Sequence, residues 1–250
     1  MAKTFTPISH RGRLHGERDG IPGNTLVAFG QLLVKYPEIE VETDVRLTEG
    51  DLLYVGHDNL LQNSTTGTGM ANKLRAEDMP GLKAKIGGKA TDHRVPVLEE
   101  VLQLFNGRGT LHIELKYGPG DPPGLLGHVL RALSSFPEQA FTLSSFNHRA
   151  LLRVPEHVAV GVLTNTMPPD PLTYLKQFDA GGKRRMGMVA FHPDIWNLTD
   201  DALDAIKGAG ISVNAYTVPP EMFQWCAENQ VNPITDFPVA AFDFLDSLQG

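Results

Sequence analysis

Short apolar runs rich in β-branched residues alternate along the chain with amphipathic stretches, and this alternation predicts repeated βα units. Strands are expected over 5–9, 39–45, 110–115, 140–143, 158–163, 187–191, 211–217 and 232–235. Helix-like stretches lie between them, over 24–36, 97–105, 125–134, 147–154, 171–178, 199–207 and 220–229, and a last one over 239–248 completes the set. Asn24 and Asn147 stand where a side-chain oxygen caps exposed helix amides. Thr199, followed three residues on by Ala202, offers a cap without a capping box. Eight strands each followed by a helix is the count of an α/β fold, the (β/α)8 TIM barrel, expected here as one domain over 1–250.

One stretch breaks the repeat. Residues 51–56 (DLLYVG) read as an additional short strand, and the polar, Gly-rich segment 59–94 has no strong periodicity. The expectation is an insertion after the second strand, about 51–94, of the kind that covers an active site. The Pro-rich segments 118–124 and 167–171 are too short to link domains and read as loops.

Composition narrows the partners. At 250 residues, 41% apolar and 20% charged, the chain has the length and balance of one globular barrel. Its net charge of −7 argues against nucleic acid, whose phosphates need a basic face. A small anionic substrate needs only a local cation cluster or a bound metal ion. The single cysteine, Cys226, excludes an intramolecular disulfide and a cysteine-based metal site, and reads as a small packed residue. The start MAKTFTPISH has no apolar leader core, and no run of about 18 apolar residues occurs. A cytoplasmic location without stable membrane association is the default expectation. Oligomeric state leaves no mark in the sequence.

Chemistry gathers at strand ends. In IEVETDVR, Glu40, Glu42 and Asp44 share parity and so face one side of the second strand. Barrel strands alternate interior and exterior positions, and catalytic groups collect at their C-terminal ends, where Glu42 and Asp44 lie. Two carboxylates at that spacing repel each other unless protonated or neutralised, so the alternatives are a divalent cation, Mg2+ or Ca2+, or a solvated edge strand. The third strand adds Glu114 and Lys116 with shared parity in LHIELKYG, bringing a further carboxylate and a cation to the same mouth. His112 shares that face one layer deeper and reads as a core histidine. His10 in ISHRG and His57 in YVGHD flank the set, and two histidines can serve both ends of a displacement at phosphorus. Arg11 offers a planar fork for phosphate oxygens.

These residues, in order, resemble the glycerophosphodiester phosphodiesterase family. The resemblance rests on His10–Arg11–Gly12, Pro22–x–Asn24–Thr25, Glu42–x–Asp44, Leu47–Thr48 and His57–Asp58. It continues through VPVLEE at 95–100, IELK at 113–116 and Ser145–Phe146, and ends with TDFP at 235–238. It implies a metal-dependent hydrolase that cleaves a small phosphodiester to an alcohol and glycerol 3-phosphate. His10 and His57 would be the acid/base pair and Glu42, Asp44 and Glu114 the ligands of Mg2+ or Ca2+. Arg11 and Lys116 would contact phosphate, and Phe146 and Tyr216 would line the pocket. Two departures stand out: Gly23 replaces the family's usual acid, for which Glu17 is a nearby substitute, and Tyr216 replaces a tryptophan. Other readings are a sphingomyelinase D-like head-group cleavage and a catalytically inactive phosphoester-binding barrel.

Overall fold

The structure, a computed structural model, describes residues 4–248; residues 1–3, part of the stretch read above for a leader, and 249–250 lie outside that range. Its strands, in chain order, are β1 (Ile8–His10), β2 (Glu40–Leu47), β3 (Leu53–Val55), β4 (Lys83–Ile86), β5 (Lys89–Arg94), β6 (Thr110–Leu115), β7 (Ala140–Ser145), β8 (Ala159–Thr164), β9 (Val189–Pro193), β10 (Ser212–Ala215) and β11 (Asn232–Thr235). Eight of them run parallel in the order β1, β2, β6, β7, β8, β9, β10, β11, and β11 pairs back onto β1 to close the ring. Closure removes every free edge within the ring. The protein is a TIM barrel, and β3 is the additional strand, antiparallel to β2.

Helices pack outside. In α1 (Leu26–Lys35), Phe29, Leu32 and Leu33 recur at helical spacing and are buried. Phe29 meets Phe105 of α3 (after a four-residue helix, α2, at Leu61–Ser64; α3 is Leu98–Phe105) with ring centroids 5.8 Å apart. The outward-facing Val41 and Val45 of β2 and Leu111 and Ile113 of β6 are buried beneath such helices, each contributing roughly 1.5–3 kcal/mol of transfer free energy. The barrel's inside is different. His112, His192 and Asn214 are buried there, in place of the branched aliphatic layers that usually fill such barrels.

Several boundaries differ from the sequence reading, each for a local reason. The first strand begins at Ile8, because Pro7 lacks an N–H for the ladder. Helix 147–154 reduces to His148–Leu151, capped by Asn147 as expected, with Pro155 discouraging continuation. Thr25, rather than Asn24, caps α1 by accepting from Ala28 N. Asn24 has a left-handed backbone (φ 57°) that turns its side chain elsewhere. The insertion is more than a polar excursion. Its Leu61, Leu74, Met79 and Leu82 converge with Tyr54 and Val95 in a second apolar cluster. Their spacing follows irregular turns and the β4–β5 hairpin, so no period announces it.

Gly109 makes the turn into β6 possible. Its φ is +57°, and a Cβ there would lie 2.2 Å from the Ile39 carbonyl oxygen. Gly109→Ala is expected to destabilise the fold by about 2–4 kcal/mol, read as a lower denaturation midpoint at unchanged slope. An unchanged midpoint would contradict the close packing of that turn.

Candidate active site

Parallel register places the acids. Asp44 of β2 lies opposite Glu114 of β6, and Glu42 lies opposite His10 of β1. Glu42, Asp44 and Glu114 are all buried, and each offers an oxygen within 4.8 Å of the others. Glu40, of the same parity but at the other end of β2, sits apart and bonds His112 Nε2 at 2.6 Å. His112 is thus an interior histidine held by a carboxylate.

Three buried carboxylates cannot all carry charge unaided. Burial, then the charges of Asp44 and Glu114, push Glu42 well above the usual carboxylate range. Burial and Asp44 raise Glu114 to about 7, although Lys116 pulls the other way. Burial opposes ionisation of Asp44 too, but Arg11 and Lys116 outweigh it and hold that group well below its ordinary value. The supporting contacts are specific. Arg11 Nε lies 3.1 Å from Asp44 Oδ2, Lys116 Nζ lies 2.8 Å from Glu114 Oε1, and Asn24 Nδ2 donates to Asp44 Oδ2 at 2.9 Å. Thr43 fixes Asn24 in turn by donating to its Oδ1 at 2.8 Å. Asp44 Oδ1 remains buried with no hydrogen-bond partner among the described residues. An all-oxygen donor set with one orphaned oxygen fits a divalent cation such as Mg2+ or Ca2+.

The two histidines share one design. His10 Nδ1 lies 2.7 Å from Asp236 Oδ1, and His57 Nδ1 lies 3.0 Å from Asp58 Oδ1. A carboxylate at Nδ1 keeps the proton there and leaves Nε2 as the working nitrogen. His10 Nε2 is 3.9 Å from Glu42 Oε2, so it faces the acidic cluster. Burial holds His10 below its usual value, partly offset by its bond to Asp236. Burial likewise lowers His57, against the charge of Asp44. Asp236, despite burial, is kept down at about 2 by His10 and by Arg13, whose Nη1 is 3.0 Å away. Arg46 anchors the His57 turn through two bonds to its carbonyl, at 2.7 and 3.1 Å.

A cavity of about 350 Å³ opens among His10, Glu42, His57, Glu114, Phe146 and Tyr216. Phe146 is 40% exposed at its rim and meets Tyr216 edge to face, with centroids 5.8 Å apart. The Tyr216 hydroxyl lies 2.9 Å from both the Thr164 carbonyl and Asn165 Oδ1, so its ring is fixed as a wall. Seven of the nine residues singled out from the sequence line this cavity, and the other two, Asp44 and Lys116, join it through their ion pairs with Arg11 and Glu114. Arg11 and Lys116, however, spend much of their charge on the carboxylates.

Sequence reasoning did not assign roles to Asp236, Asp58 or Arg46, and it read Asn24 as a helix cap rather than as a partner of Asp44. Asp58 and Asp236 stood inside quoted motifs, yet only the fold brings Asp236 across 226 residues to His10. Glu17 does not replace the missing acid at Gly23: it is exposed and pairs with Arg13 Nη2 at 3.3 Å. Gly23 itself is tightly packed. A Cβ there would meet Arg11 Cβ at 2.9 Å and Arg13 Nε at 3.1 Å, so the space of the family's acid is closed by two arginines.

A barrel with buried acids and paired histidines at its C-terminal mouth defines a phosphodiester-cleaving enzyme class, and the comparisons agree. The chain belongs to the Glycerophosphoryl diester phosphodiesterase family, whose profile matches residues 10–240. It is 28% identical over 218 residues to a glycerophosphodiester phosphodiesterase of Caldanaerobacter subterraneus subsp. tengcongensis, covering 84% of each chain. With a glycerophosphodiester phosphodiesterase of Bacillus altitudinis it shares 29% identity, covering 88% of each. Among solved structures, an Oleispira antarctica phosphodiesterase in complex with the product sn-glycerol-3-phosphate shares the fold at a TM-score of 0.82, with 22% identity and 96% of each chain covered. No helix among the described residues is long and apolar enough to cross a membrane.

In metal-free protein, the His10 ring is expected to titrate below 6.5 by NMR. Asp236→Asn should move it lower still, because the carboxylate favours the charged ring. An upward shift in that variant would contradict the pairing.

Proposed function

We propose that this chain hydrolyses glycerophosphodiesters to an alcohol and glycerol 3-phosphate, with Glu42, Asp44 and Glu114 holding Mg2+ or Ca2+ and with His10 and His57 as the acid/base pair. The observation that carries this reading is the convergence of two aspartate-held histidines on three buried carboxylates. The cation would supply positive charge for the phosphate oxygens and let all three carboxylates ionise.

The protein's own groups supply the rest. A glycerophosphodiester has a hydroxyl beside its phosphate ester, so one histidine Nε2 can take that proton as the oxygen attacks phosphorus. The other histidine, charged, gives its proton to the departing alcohol. The cyclic phosphate then opens with water as the roles reverse; direct attack by water needs the same two groups. Asp236 and Asp58 stabilise each imidazolium as it forms, which eases proton uptake at sites where burial favours the neutral ring. Arg11 and Lys116 sit beside the carboxylates where phosphate oxygens would gather, and their contribution grows once the cation takes over the acids. Phe146 and Tyr216 shield one side of the cavity from water.

The test is hydrolysis of glycerophosphocholine and glycerophosphoethanolamine by purified protein with Mg2+, Ca2+ or EDTA. Release of glycerol 3-phosphate that EDTA abolishes is expected. His10→Ala and His57→Ala should each lose about 10²–10⁴-fold in kcat while keeping cation binding. Near-normal turnover in either variant would refute the acid/base assignment.

A further inference from the structure

The Pro-rich loop after β6, residues 118–124, has no part in the chemistry described above, yet it is bonded to the turn that carries His57. Its shape is set locally. Pro119 and Gly120, the latter at φ +77°, are the residues a type II turn requires at its two central positions. The turn closes as Asp121 N donates to the Gly118 carbonyl at 3.2 Å, and Gly118 N donates back to Asp121 Oδ2 at 2.6 Å. Pro122 and Pro123 restrict the chain beyond it. Asp121 is thus held by its own turn, main chain and side chain alike.

Arg46 meets that carboxylate. It shares parity with Glu42 and Asp44 on β2, one step beyond them, and only 4% of its side chain is exposed. Its Nη1 lies 3.6 Å from Asp121 Oδ2, while Nε and Nη2 both donate to the His57 carbonyl. A buried guanidinium needs a countercharge, and Asp121 is the carboxylate in ion-pair range of it among the described residues. Because the fork is planar and rigid, its angle to one partner fixes its angle to the other. The other ties of the His57 turn lie at its ends: Gly56 N donates to Asp44 O at 3.0 Å, and Ala71 N donates to Asn59 O at 2.8 Å. The His57 side chain between them is 40% exposed, so packing alone does not hold it. The two loops also touch directly. A Cβ on Gly118 would lie 2.7 Å from Asn59 Oδ1, and Asn72 Nδ2 donates to the Gly120 carbonyl at 2.8 Å.

We propose that Asp121 is a positioning residue that sets the placement of His57 beside the carboxylate cluster, acting through Arg46. This rests on the reading of His57 as one of the acid/base pair, and it adds the loop after β6 to what that histidine requires. Without the Asp121 charge, Arg46 is drawn toward water or toward the acids of the cluster, and the His57 carbonyl loses its fixed donor. A shift of about 1 Å in a catalytic group costs up to about 10²-fold in rate. Neither Arg46 nor Asp121 lines the cavity, so the loss falls on kcat rather than on substrate binding.

The experiment is a double-mutant cycle on glycerophosphoethanolamine with Mg2+ or Ca2+, in which Asp121→Asn is measured alone and together with His57→Ala. Asp121→Asn keeps the size of the side chain and removes its charge. Alone, it should lower kcat by about tenfold, with KM and cation affinity within about twofold of wild type. In the His57→Ala background the same substitution should change kcat by less than about twofold, because the group it positions is gone. Arg46→Lys keeps the charge and loses the fork, and should lower kcat in the same His57-dependent way; Asp121→Asn, on a surface loop, decides alone if that variant does not fold. An unchanged kcat in Asp121→Asn, or a loss that persists undiminished in His57→Ala, overturns the positioning role and leaves the acid/base reading standing. Near-normal turnover by His57→Ala, or none by wild type, overturns that reading and the positioning role with it.

Discussion

Asp44 and Glu114 lie side by side on neighbouring parallel strands, with Glu42 one inward position below, and all three are buried. Strand spacing of roughly 5 Å leaves these carboxylates no way to separate. In the protein alone the repulsion is relieved by partial protonation: Glu42 rises well above its usual range and Glu114 to about 7, while Asp44 stays ionised. A rigid barrel therefore holds a concentration of negative charge that only added positive charge can stabilise fully. Most of the site follows from that constraint.

Surrounding residues divide the load. Arg11 and Lys116 bear on Asp44, and Asn24 gives it a neutral donor. Each histidine has its own aspartate, and burial keeps both rings below their ordinary value. Arg13 ties Asp236 to the turn after β1, where the two arginines also close the space beside Gly23. The loss of an acid at that position therefore changes packing around Arg11 and Arg13 and leaves the three-carboxylate cluster intact.

Much of the fold was legible because a parallel barrel repeats one simple pattern, and β-branched runs between amphipathic helices mark it eight times. The acids were legible from parity on two strands, since Glu42, Asp44 and Glu114 needed only correct strand assignment to meet. What lay hidden depended on distant contacts or unusual backbone. Asn24 looked like a helix cap, but a left-handed φ of 57° turned it into a partner of Asp44. Asp236 reached His10 only through closure of the ring. His112 read as a core histidine with no partner in view, and its bond to Glu40 required both strands in register. The insertion's apolar cluster had no period to read, because turns rather than a helix bring Leu61, Leu74 and Leu82 together.

The central claim, that three buried carboxylates await a divalent cation, is tested most directly by calorimetric titration of metal-free protein with Mg2+ or Ca2+ at pH 7, in two buffers of different ionisation heat. Glu114, raised to about 7, is partly protonated there and Glu42 is pushed upward beside it, so binding should release protons to the buffer, and Glu42→Gln should weaken it sharply. Binding without proton release, or binding indifferent to Glu42→Gln, would contradict the account.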